Sequence, residues 1–74
     1  MPKYFFNVRN DVKAQDFEGT DLIDLDTARG EALKDIDEIK ENHFRSVGGD
    51  WSRWSIEICD PDGELLLVVP FTAN

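Results

Sequence analysis

Few side chains in this chain could carry chemistry, and their spacing decides what they can do. His43 is the only histidine and Cys59 the only cysteine. A histidine acts as metal ligand or general base only with partners at ligand spacing or within hydrogen-bond reach. None stands near His43 in sequence. The residue falls on the apolar stripe of a helix, so it is expected to be a partly buried, hydrogen-bonded residue near the helix end. Cys59 would need an activating base to become a nucleophile. Its neighbour is the acid Asp60, and no Cys-His signature is present. A structural cysteine is the expectation.

The acids are the other candidates. Asp60, Asp62 and Glu64 superficially resemble part of a calcium loop. That loop needs glycine at its sixth position and glutamate at its twelfth. Counting from Asp60, those positions hold Leu65 and Phe71. Asp21, Asp24 and Asp26 lack the loop as well, and helix capping accounts for them more simply. No phosphate-binding glycine loop, nucleophile elbow or zinc signature occurs. The sequence therefore predicts no catalytic residue, no metal site and no cofactor, and the expected answer to whether this is an enzyme is no.

The elements that position these residues follow from periodicity. Lys3 to Arg9 alternates, with Tyr4, Phe6 and Val8 on one face and Phe5 and Asn7 on the other. Asn10-Asp11 supplies turn chemistry, and 12–16 reads as a short, polar second strand. From Leu25 the apolar spacing changes to three and four. Leu25, Ala28, Ala32, Ile36, Ile39 and His43 share one helical face, flanked by Leu33 and Val47. Asp24 is the expected N-cap, and Gly48-Gly49 the stop. Gly30 is costly inside a helix, by about 1 kcal/mol relative to alanine, which suggests close packing or drift. Glu41 and Arg45 are spaced to attract, Glu31 and Asp35 to repel.

Two further strands, 52–59 and 64–70, flank Asp60-Pro61-Asp62-Gly63. Proline presets the first central turn residue and glycine accepts a positive φ, which makes this a hairpin. The fold expected is one α+β domain of order β-β-α-β-β. One long helix, about 25–47, packs on one face of a small, mainly antiparallel four-stranded sheet. The first and last strands are the most apolar and are expected at its centre, with the second and third at the edges.

With 74 residues there is room for one domain and a thin core. A hydrophobic fraction of 41% is too high for a disordered chain. Sixteen acids against eight bases leave a net charge of -8. That charge argues against nucleic acid and against an anionic membrane surface, both of which require cations. The longest apolar run, Leu65 to Phe71, is far short of the ~20 residues that span a bilayer. A lone cysteine and no signal peptide make cytoplasm the default location.

The ordered motifs carry a resemblance. Pro2-Lys3-Tyr4-Phe5-Phe6-Asn7-Val8-Arg9 opens the chain, and Glu18-Gly19 follows. Then come Asp24-Leu25-Asp26-Thr27-Ala28-Arg29-Gly30-Glu31-Ala32, the Asp60 to Gly63 hairpin, and Val69-Pro70-Phe71. Over nearly its whole length the chain resembles a family of short, uncharacterised bacterial proteins common in rhizobia and related alphaproteobacteria. That family is a domain of unknown function, so the resemblance implies a source and a length class but no activity. Ile23 and Gly30 depart from it where proline and alanine are usual.

One surface stands out. A single helix covers only one sheet face, so Phe5, Leu66 and Val68 point away from it, with Trp51 expected at their border. These four form the expected interaction surface, for a homodimer or another protein partner, unless the loop 17–23 or the C-terminal tail covers it. A noncatalytic interaction module is the leading expectation. The alternatives are a small-ligand or regulatory sensor, with a pocket near Gly30 or His43, and an acidic binder of a basic protein.

Overall fold

A computed structural model describes residues 1–10, 13–47 and 50–73, the side chains of 13, 43–47 and 73 excepted. Five strands and one helix follow in chain order: β1 (Lys3–Arg9), β2 (Lys13–Ala14), β3 (Thr20–Asp21), α1 (Leu25–Val47), β4 (Ser55–Cys59) and β5 (Leu65–Pro70), then a 3₁₀ turn at Phe71–Ala73. The sheet is antiparallel, of order β2-β1-β4-β5, with β3 also pairing β1. The α+β architecture expected from the sequence is present. The expected places of Val12, Asp11, Gly48 and Gly49, and of the His43, Arg45 and Val47 side chains, lie outside the described residues.

The helix forms where the apolar period is three and four. Ala28, Ala32 and Ile36 are buried, with Leu25, Leu33 and Ile39 packed beside them. Asp24 caps it: the Thr27 N–H donates to its carboxylate at 2.8 Å and the Ala28 N–H to its carbonyl at 3.1 Å. These bonds, from the Thr27 backbone and then its side chain, hold the Asp24 carboxyl below its ordinary value. Burial, followed by repulsion from Glu31 and Glu38, raises the Asp35 carboxyl above its ordinary value. Glu31 turns to Lys34 at 3.6 Å instead. Gly30 is solvent-exposed, and a Cβ there would meet nothing within 4 Å. Close packing does not explain this glycine.

The strand order corrects the sequence expectation. β4 lies between β1 and β5, and β5 is at the edge. Registers Phe6↔Ile58↔Leu67 and Val8↔Ile56↔Val69 place these six residues on the helix face. α1 runs across β4 and β5, so Ile56 and Ile58 are sandwiched and fully buried. The apolarity of β5 on both faces resembled that of a central strand. Its actual partner on one side is only β4.

Other boundaries also moved. Among the described residues the second strand is Lys13–Ala14, ending before Gln15 and Asp16, and Thr20–Asp21 forms an additional strand. Trp51 to Trp54 is a turn rather than a strand start, closed by the Trp54 N–H on the Trp51 carbonyl at 3.0 Å. That turn stacks Trp51 on Phe71, with ring centroids 5.5 Å apart, and sets Trp54 edge-on to Trp51 at 5.0 Å. Lys40 Nζ donates to the Phe71 carbonyl at 2.6 Å and ties the helix to the end of β5.

Candidate functional site

The site begins with the gap between β2 and β3. Both pair β1, at Val8↔Ala14 and at Tyr4↔Thr20, and Phe6 falls between them. Its N–H points the same way and would lack a partner. Asp16 fills the gap by accepting that N–H at 3.1 Å through one carboxylate oxygen. Its other oxygen accepts the Glu18 and Gly19 N–H groups at 3.0 and 3.1 Å. Burial alone would raise the Asp16 carboxyl, but the backbone donors of Gly19, Phe6 and Glu18 outweigh it and hold the group below its ordinary value. Gly19 has φ +72°, and a Cβ there would come within 2.7 Å of Lys3 Cγ. Only glycine lets the loop lie against β1.

Asn7 extends this network across the sheet face opposite the helix. Its Oδ1 accepts the Asp16 N–H at 2.8 Å, and its Nδ2 donates to Cys59 Sγ at 3.6 Å. Asn7, Glu57 and Cys59 are all buried on this face. Arg9 reaches diagonally to Glu57 at 3.1 Å, with the arginine side chain 61% exposed and the glutamate 11%. Near Cys59 a depression of about 220 Å³ opens, lined by Phe5, Asn7, Asp16, Phe17, Cys59 and Pro61 among others. It is smaller than the ~300–1,000 Å³ usual for ligand pockets. Its lining contains no histidine or lysine. Asp16, tied to three N–H donors and shifted downward, is a weak base toward the Cys59 thiol.

The structure separates the four residues of the expected surface. Trp51 belongs to the buried core cluster with Phe71 and Ile36, away from the second face. Phe5 is half-buried, with Gly19 of the 15–19 loop near its ring. Leu66 and Val68 are 38% and 45% exposed, with Leu65 beside them at 51%. Registers Phe5↔Cys59↔Leu65 and Asn7↔Glu57↔Val68 put one residue of β4 between Phe5 and the exposed leucines, and polar Asn7 and Glu57 in the next row. The open apolar surface is thus the β5 edge, not the sheet centre. The C-terminal turn does not cover it, because Phe71 is buried in the core.

That edge has a defined hydrogen-bonding pattern. The Phe71 N–H donates to the Trp54 carbonyl at 2.9 Å, and Val69 and Leu67 pair with Ile56 and Ile58. By alternation the backbone groups of Val68 face away from β4, as does Pro70, which has no N–H to offer. A register shift makes Leu66 an extra residue opposite the step from Ile58 to Cys59. The hairpin turn before it has the expected chemistry. The Gly63 N–H donates to the Asp60 carbonyl at 3.0 Å, Gly63 has φ +86°, and Asp60 also accepts the Asp62 and Glu64 N–H groups.

Sequence reasoning passed over Asp16 and Asn7. The signal for Asp16 was present: Asp16 to Gly19 repeats the Asp-x-x-Gly spacing of Asp60 to Gly63. Each aspartate side chain accepts N–H groups from its own loop, and each glycine has a positive φ. Among the described residues no three His, Cys, Asp or Glu side chains group as a metal site, and no helix is long and apolar enough to cross a membrane. No curated protein and no solved structure matches the chain. A family model does match, over residues 3–72, and the chain therefore belongs to the family described as Domain of unknown function (DUF6894).

Proposed function

We propose that this domain is a noncatalytic protein-interaction module of the bacterial cytoplasm, and that the β5 edge is its contact surface. One observation carries the reading: Leu65, Leu66 and Val68 are exposed on a strand that, among the described residues, has no neighbouring strand on its outer side. An apolar open edge is a hazard that proteins ordinarily blunt or cover, and here Pro70 and the bulge at Leu66 shorten the edge without removing its exposed apolar side chains. Keeping one is consistent with use, since added strands bind through such edges. A homodimer through β5 is one form of this reading.

Photo-crosslinking in the native host tests it. A crosslinking residue at position 68 is expected to yield discrete protein adducts, while one at exposed Glu38 on α1 yields none. Equal labelling from both positions, or none from either, would overturn the proposal.

A further inference from the structure

We infer that the occupant of the β5 edge is an extended segment of a basic protein, with lysine or arginine interleaved among apolar residues. This rests on the reading of β5 as a contact surface and adds the chemistry of the partner. From Trp54 to Asn74 the chain holds Glu57, Asp60, Asp62 and Glu64 and no lysine or arginine. Of the two β1 cations, Arg9 is turned onto Glu57 at 3.1 Å and Lys3 lies against Gly19, while Lys40 of α1 is held on the Phe71 carbonyl at 2.6 Å. Asp60 spends its carboxylate on the turn, accepting at 2.9 and 2.8 Å. Asp62 and Glu64 stand exposed at the mouth of the strand.

The apolar window is short. The irregularity at Leu66 bounds it on one side and the missing N–H of Pro70 on the other. Val68 presents the clean outward donor and acceptor between them. An incoming strand pairs there, sets apolar side chains beside Leu66 and Val68, and carries cations toward Asp62 and Glu64. A second copy would bring a net charge of -8 against -8. Charge complementarity selects a basic partner over a second copy.

A synthetic peptide alternating valine with lysine is the probe, titrated into the full isotope-labelled chain and followed by amide shifts. Shifts centred on Leu66 to Val69 are expected, with affinity weakening as salt rises from roughly 0.05 to 0.5 M. Val68→Pro removes the outward N–H at an edge position that tolerates proline, and affinity is expected to fall about tenfold. The pair Asp62→Lys with Glu64→Lys gives the same direction without touching the strand backbone. Equal binding by a valine–glutamate peptide, or by a valine–lysine peptide with its valines bunched together, overturns the proposal. So do shifts centred elsewhere. A chain that ignores the peptide and dimerises through β5 more tightly as salt rises overturns the basic partner but keeps the contact surface. A chain that does neither overturns both.

Discussion

Asp16 shows how much one side chain can settle. A carboxylate stands in for the strand residue that would otherwise pair with Phe6, and the same group closes the loop to Gly19. Removing it leaves the half-buried Phe6 and Gly19 N–H groups without acceptors, at a cost of about 1–3 kcal/mol together because water can reach them in part. Asp16→Ala is therefore expected to lose about 1–3 kcal/mol in denaturant unfolding at neutral pH. The pH dependence has a definite sign. The folded-state value of Asp16 lies below 3.8, its ordinary value. Its contribution is complete above that ordinary value and disappears as pH falls through the lowered one. The variant is expected to show a shallower loss of stability in acid than the parent. An unchanged acid limb would show that the carboxylate is not the stabilising acceptor.

At the scale of elements, two glycines with opposite environments make a paired test. Gly30 lies inside α1 with open space where a Cβ would stand, so Gly30→Ala is expected to add about 1 kcal/mol. Gly63 also has open space but a φ of +86°, so Gly63→Ala is expected to cost about 1–2 kcal/mol. Melting curves of the two variants should move in opposite directions. Helix and hairpin were readable because their signals are local: the three-and-four spacing from Leu25 to Ile39, the Asp24 cap, and Pro61 with Gly63. β3 was not, because two residues have no period to detect and Thr20–Asp21 pairs with a strand far back in sequence. Trp51, expected at the border of the second face, lies elsewhere for another reason. The turn closed by Trp54 aims it at Phe71 in the core, a contact that spacing along the chain does not show.

The whole molecule turns on where β5 lies. Hydrophobicity on both faces suggested a covered strand, because sequence reports how apolar a strand is and not how many neighbours it has. The same ambiguity hid the role of β4. Its Glu57 reads as a solvent-facing residue, yet it is buried between Asn7 and Val68 with Arg9 on its carboxylate. Alternation alone pointed Leu66 and Val68 away from the helix, and both are exposed. The shielding of Phe5 by the 15–19 loop was not legible, since it depends on the Asp16 network. Two irregularities limit the open edge, at Leu66 and at Pro70, and a domain that only had to avoid aggregation would gain from more polar residues there.

Amide hydrogen exchange along β5 tests this account most directly, measured at a concentration where the chain sediments as a monomer. The Leu67 and Val69 amides face β4 and are expected to exchange slowly, while the Val68 amide between them exchanges at least about tenfold faster. Equal protection of all three would mean that the outer side of β5 is already covered, and would contradict the open edge on which the proposed function depends.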